Sequence, residues 1–329
     1  MTSTERVRNT ILGKPVDRQP IYGWVIYNLE APIREHWGSV AAFEDHYEFD
    51  MAHIFGGPAV FNQEVIEQIR QAEGGEVPPD VLLKHDYCLS SNNPEDYLPV
   101  RESIAFHKKR DRFCYVQTPG FFECFNDVFG IQNHLLYLLM YRDEIAQLYK
   151  KQADWLISYV DHCIDAGADM IHFTDDWGAQ NSLMFSPELW WELIYPNMKR
   201  VVDHVHERGV FASLHSDGCL TKVLDGIVKI GFDLIHPWQE NAAMPYELYL
   251  EHYADKFAIL GGVCIQTALG VLPREALEQE IRRVFRTLRG KRWVCCTTHF
   301  VQDQCSIADL EFAYDLIYRL AREPQPVCP

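Results

Sequence analysis

The chemistry-bearing side chains of this 329-residue chain gather in a few short segments. FTDDWGAQ carries Asp175, Asp176 and Trp177, and HSDG carries His215, Ser216 and Asp217. HPWQE supplies His236, Trp238, Gln239 and Glu240, GGVCIQ supplies Cys264 and Gln266, and THFVQD supplies His299, Phe300, Gln302 and Asp303. Imidazoles and carboxylates move protons near neutral pH and ligate metals. They are poor core material, because burying an unpaired charge is costly. A single histidine is equally well explained by a structural hydrogen bond, and an aspartate after a strand often caps the loop that follows. Recurrence after one β-like run after another is what points to a reaction centre, with His215, Asp217 and His299 at its heart.

Strands and helices in alternation must position these segments. Strand-like runs fall at residues 20–24, 49–55, 113–118, 169–174, 210–215, 232–236, 257–261 and 293–297, eight in all. Most are near-continuous apolar runs such as MIHF, VFASL and FAIL, as strands buried on both faces require. Helical spacing marks residues 143–166, 186–208, 220–230, 245–254, 274–288 and 307–321. The first of these stops at Gly167, and the second starts with a capping Ser186 and Pro187 in its first turn. With no break in composition, the pattern predicts one α/β domain over residues 1–329, a (β/α)8 TIM barrel. It would carry an N-terminal extension and an excursion after strand 2, where residues 56–93, with GGEVPP and SSNNP, read as loop. Chemistry in such a barrel belongs at the C-terminal strand ends, where the polar segments fall.

Bulk composition narrows the class. Hydrophobic residues make up 47% and charged residues 23%, enough for a sizeable core. A formal charge of −17 argues against nucleic acid or an anionic membrane as partner. The N-terminal segment has no long apolar run after its charges, and nothing approaches the roughly 18 apolar residues of a membrane span. Ten cysteines without a CxxC pair fit reduced thiols, and the expected location is cytoplasmic.

Three segments carry a family resemblance. RVRNTILGKPVDRQP, FTDDWGAQNSLMFSPELWWELIYPNMKRVVDHVHERGV and the HSDG that follows resemble the uroporphyrinogen decarboxylase superfamily, in this order and over nearly the whole chain. The resemblance implies a closed (β/α)8 barrel and one of two activities. One branch decarboxylates a porphyrinogen without a cofactor; the other moves methyl groups to or from a corrinoid protein and commonly carries zinc. The decarboxylase branch holds its substrate's carboxylates with an arginine-rich segment after the first strand. Here GWVIYNLEAPIREHWG offers Arg34 beside Glu30 and Glu35, an acidic mouth for a polyanion.

The methyltransferase branch binds zinc through a His-x-Cys pair after the fifth strand and a cysteine near the eighth. His215 matches the first position, Asp217 stands where the first cysteine would be, and His299 falls near the second. Two histidines and a carboxylate can hold a catalytic zinc with one position open. Cys264 or Glu240 could complete the set, or Asp217 could instead orient His215. The plain alternative is that no metal binds and the two imidazoles bond to loops.

Nitrogen and oxygen ligands leave zinc harder than thiolates do, which suits an oxygen leaving group. The expectation is therefore a methyltransferase of the O-demethylase type. It would move a methyl group from a small O-methyl donor, an aryl methyl ether, to the cobalt of a corrinoid (cobalamin) carried by a partner protein. Trp24, Tyr27, Trp177, Trp238, Gln239 and Phe300 would bind the substrate, and Asp175, Asp176 and Glu240 would act on it as acids or bases. The barrel mouth must stay open for the corrinoid protein, which leaves the barrel's side for any homo-oligomer. Three alternatives remain: methylcorrinoid-to-thiol transfer with Cys264 as a soft ligand, porphyrinogen decarboxylation, and a non-catalytic protein that binds the corrinoid partner.

Overall fold

The computed structural model describes residues 1–323. Among them are seven strands: β1 Met51–Ile54, β2 Phe113–Pro119, β3 Met170–Thr174, β4 Phe211–His215, β5 Leu234–His236, β6 Ala258–Val263 and β7 Trp293–Thr297. The chain divides into two compact units, one made of Met1–His53, His107–Phe113 and Asp233–Pro329, the other of Ile54–Phe106 and Cys114–Phe232. Within each unit the paired strands follow chain order. This is an α/β fold of the TIM-barrel type, with seven of the eight expected strands formed.

In the second unit β2, β3 and β4 are parallel, with Thr118 opposite Phe173 and Thr174 opposite His215. Every residue of β3 is buried, which accounts for its apolar sequence. The helix Arg142–Asp165 packs on β3 and buries Ile145, Leu148, Leu156, Tyr159 and Val160. The next helix was expected to be continuous from Ser186. Instead Ser186 caps a short turn, Pro187–Leu189, followed by a π-helical turn, Trp190–Ile194, and an α-helix, Tyr195–Glu207. Pro196 has no N–H to give to the Glu192 carbonyl, so the turn widens where that bond is lost.

Residues 56–93 are also more ordered than a loop. Asn62 caps the helix Gln63–Ala72, its Oδ1 accepting from Glu64 N at 3.2 Å, and Ile66 and Ile69 are buried. A short helix, Pro79–Leu82, follows. Ten residues of helix interrupted by GGEVPP give too little periodicity to stand out in sequence.

In the first unit β5, β6 and β7 are parallel. The strand expected at 20–24 reduces to a bridge between Ile21 and Cys295. Its backbone does run beside β7, with Tyr22 N donating to Cys295 O at 2.8 Å and Cys295 N donating to Pro20 O at 3.0 Å. Side chains take two of the other donors: Ile21 N goes to Asp50 Oδ2 at 2.8 Å and Trp24 N to Thr297 Oγ1 at 3.2 Å. Pro20 has no N–H to offer, so the ladder cannot extend.

Asp50 is the anchor of this corner. Fully buried, it accepts from Arg6 Nη1 at 2.5 Å and Arg18 Nη1 at 2.7 Å as well as from the Ile21 backbone. Through Arg6 it ties down the first helix, Ser3–Ile11. No helix among the described residues is long and apolar enough to cross a membrane, and the described cysteines are all free.

Removing the carboxylate would take the shared buried partner from two guanidinium groups, leaving Arg6 with Asp17 and Arg18 with Glu48 at the 3.7 Å edge of ion-pair range. Asp50→Ala is expected to lower the free energy of unfolding by about 3–5 kcal/mol, as measured by chemical denaturation. A loss below about 1 kcal/mol would mean the arginines find other partners at little cost.

Candidate functional site

The second unit builds a carboxylate and imidazole cluster on the loops leaving β3 and β4. These loops are laced together: Asp175 N donates to His215 O at 3.0 Å, Cys219 N to Ala179 O at 2.8 Å, and Trp177 N to Ser216 Oγ at 3.0 Å. Gly178 and Gly218 let the two backbones touch. A Cβ on Gly178 would lie 2.4 Å from Asp217 O, and Gly218 has φ +85°, so neither position tolerates a side chain. Asp176 then reaches across, its Oδ1 accepting from Asp217 N at 2.7 Å and lying 3.9 Å from His215 Nε2.

His215 is buried, with its ring 6.0 Å from that of His172. His172 shares a 2.7 Å hydrogen bond between Nδ1 and Ser213 Oγ. On the other side, Glu123 N donates to Asp175 Oδ1 at 2.7 Å.

Crowding and burial hold protons on these acids. Burial, reinforced by the Asp176 charge, pushes the Asp217 carboxyl up to about 7. Asp175 is also pushed up to about 7, again by burial, against the pull of backbone N–H groups at Glu123 and Phe121. Glu123 goes up to about 8, through burial and then the charges of Asp176 and Asp175. A cavity of about 280 Å³ adjoins Glu123, bounded by Phe61, Pro119, Cys124, Asp127 and Thr174. Its walls combine apolar surface with carboxyl groups, and Asp127 too is raised by burial.

The first unit contributes an aromatic and imidazole cluster beyond β7. Trp24 stacks on His299 at 4.8 Å and 27°, and meets His53 edge-on at 4.8 Å. Phe300 lies 5.6 Å from Trp24 and 5.4 Å from Tyr27. The backbone fixes this group: Val301 N donates to Trp24 O at 3.0 Å, and His236 Nε2 sits 3.2 Å from Thr297 O. Tyr27, at φ +75°, is half exposed and forms the open side.

Other residues singled out by sequence lie elsewhere. Trp177 is fully buried edge-on against Trp190 and packs as core. Trp238 and Gln239 are buried, and the Trp238 indole N–H donates to Pro245 O at 3.3 Å. Glu240 is held by Arg283 Nη2 at 2.5 Å, and the same guanidinium also binds Glu280 at 2.7 Å. Cys264 lines a cavity of about 320 Å³ with this ion-paired group.

Glu123, His53 and His172 join these clusters without having been singled out from the sequence. A signal existed for the two histidines. Each interrupts a buried strand, in MAHI and MIHF, where an apolar residue is expected.

The family model for uroporphyrinogen decarboxylase (URO-D) matches residues 126–320. A methyltransferase from Methanosarcina mazei has a similar structure, with TM-score 0.67 and 14% identity, over 96% of this chain and 98% of that one. That likeness establishes a shared fold. A B12-independent methionine synthase from a Shewanella species matches with TM-score 0.47 and 13% identity, over 68% of this chain and 65% of that one. A sugar phosphate isomerase/epimerase from Parabacteroides distasonis gives 0.49 and 9%, over 92% and 96%. No curated protein sequence matches the chain.

The raised carboxyls predict a pH dependence. Glu123 holds its proton more tightly folded than unfolded, so its contribution to stability is lost as pH rises from its ordinary 4.5 through about 8. In chelator-treated protein, Glu123→Gln should therefore lose less melting temperature than the parent between about pH 5 and about pH 8. Parallel profiles for the two proteins would count against the buried acid.

Proposed function

Because the chain belongs to the uroporphyrinogen decarboxylase family, we propose that it is a zinc-dependent methyltransferase. It moves the methyl group of an O-methyl donor, an aryl methyl ether, to the cobalt of a corrinoid carried by a partner protein. The observation that carries this reading is the donor set. His215, Asp217 and His299 are side chains that could each give one ligand atom to a metal ion, as could His172 and His236. Two imidazoles and a carboxylate, with a fourth position left for substrate, suit a catalytic zinc. Asp217 fits the same picture, since a carboxyl that keeps its proton to about 7 when alone is one whose proton a cation would replace.

Zinc bound by these residues would supply a Lewis acid for the ether oxygen. The chain's own groups do the rest. Trp24, Phe300 and Tyr27 offer rings against which an aryl group can pack, with Tyr27 at the entrance. Asp176 orients the site from the side, through the Asp217 backbone and its approach to His215. Glu123 and Asp175 carry protons near neutral pH and so could deliver one to the departing oxygen.

Porphyrinogen decarboxylation is the weaker reading. Arg34, the arginine in the segment where that activity needs several, is exposed and paired with Glu30 at 2.5 Å. A committed surface arginine gives a polycarboxylate little to bind.

Metal analysis tests the proposal. Purified protein should hold about one zinc per chain, and His215→Ala and His299→Ala should each cut zinc affinity about tenfold or more and abolish methylation of a corrinoid acceptor by an aryl methyl ether. Zinc content unchanged in both variants would remove the proposed ligands.

A further inference from the structure

A concave surface at the opposite end of β7 has chemistry that the methyl-transfer reading leaves unused. Arg292 immediately precedes β7, and His299 follows it, with about 17 Å of strand between them. Around Arg292 lies a cavity of about 500 Å³, bounded by Leu12, Gly13, Lys14, Asp255 and Lys291. That volume is within the ordinary range for small-molecule sites.

Its charge is out of keeping with the rest of the chain. Acids outnumber lysine and arginine by 47 to 30 overall, yet three cations converge on this hollow. Lys14 and Lys291 are exposed and have no carboxylate at ion-pair distance among the described residues. Asp255, the acid on the rim, is occupied by Lys256 at 2.7 Å.

Arg292 gives the cavity a built component. Its Nη1 donates to the Asp255 backbone carbonyl at 2.9 Å, which fixes the guanidinium, while its Nε is buried without a hydrogen-bond partner. Gly13, at φ +67°, keeps the space beside it open. A Cβ there would stand 3.3 Å from Arg292 Cδ and 4.0 Å from Nε. Burial lowers the Arg292 pKa, so the guanidinium is short of solvation that an anion would restore.

We infer that this cavity binds the phosphate group of a small phosphorylated molecule. A guanidinium held in place by a backbone carbonyl and flanked by two ammonium groups without a carboxylate partner matches the charge and hydrogen-bonding needs of a phosphate monoester. Leu12, half exposed on the same wall, gives its organic part an apolar surface. The site stands independently of the zinc proposal, because it lies wholly within the first unit and shares none of the proposed ligands.

Calorimetric titration with inorganic phosphate and with glycerol phosphate, at constant ionic strength set by chloride, tests the inference. The parent should bind both, glycerol phosphate the more tightly. Lys14→Glu combined with Lys291→Glu should weaken both by about tenfold or more without changing the melting temperature of the ligand-free protein, since both lysines are exposed. Arg292→Gln should weaken binding similarly. Binding of inorganic phosphate alone, with no gain from the organic part, would overturn the phosphorylated ligand. Equal affinities in the parent and the double-lysine variant, or no binding by the parent, would overturn the site itself.

Discussion

One hydrogen bond organises the reactive end of the second unit: Asp217 N–H to the Asp176 carboxylate, at 2.7 Å. It joins the loop after β4 to the loop after β3 and sets the approach of Asp176 to His215. It depends in turn on Gly178 and Gly218, since a side chain at either would force apart the backbones that the bond spans. Asp176 is thereby committed as an acceptor, and its charge bears on Asp217 and Glu123. Burial is the main reason those two acids retain protons, and the placement of Asp176 adds to it.

Such a cluster works against stability. Buried carboxyls that ionise only near neutral pH hold the folded state back as pH rises, unless a cation takes over from the protons. Surrounding packing offsets the cost. Trp177 against Trp190 makes a rigid wall behind the β3 loop, and the helix Arg142–Asp165 covers β3 from outside. In the first unit the Arg6–Asp50–Arg18 group does similar work for the chain entering β1. Polar residues are thus anchored by packed aromatic surface in one unit and by a paired ionic group in the other.

Much of this frame was legible from residue order alone. β7 and the helix Arg274–Leu288 have the bounds that periodicity predicts, because each has an uninterrupted pattern and a proline or glycine beside it. The segment at 20–24 looks like a strand by composition. Only the fold reveals that the Asp50 and Thr297 side chains intercept its backbone donors. His215, Asp217 and His299 could be picked out because they follow strands. His172 stands out in sequence only as a polar residue within the apolar MIHF run, and its partner Ser213, forty-one residues away on the neighbouring strand, emerges from the register. Glu123 is likewise invisible until folding brings the Asp175 carboxylate to its N–H. Trp177 shows the reverse limit: an aromatic after a strand reads equally as pocket or core, and packing decides.

The proposed zinc site is made from imidazole nitrogen and carboxylate oxygen with no thiolate. X-ray absorption at the zinc edge of the metal-loaded protein tests it most directly. The expected spectrum has nitrogen and oxygen neighbours at about 2.0–2.1 Å. A sulfur shell near about 2.3 Å would contradict it, since it would bring Cys264 or another thiol onto the metal and turn the chemistry toward thiol activation.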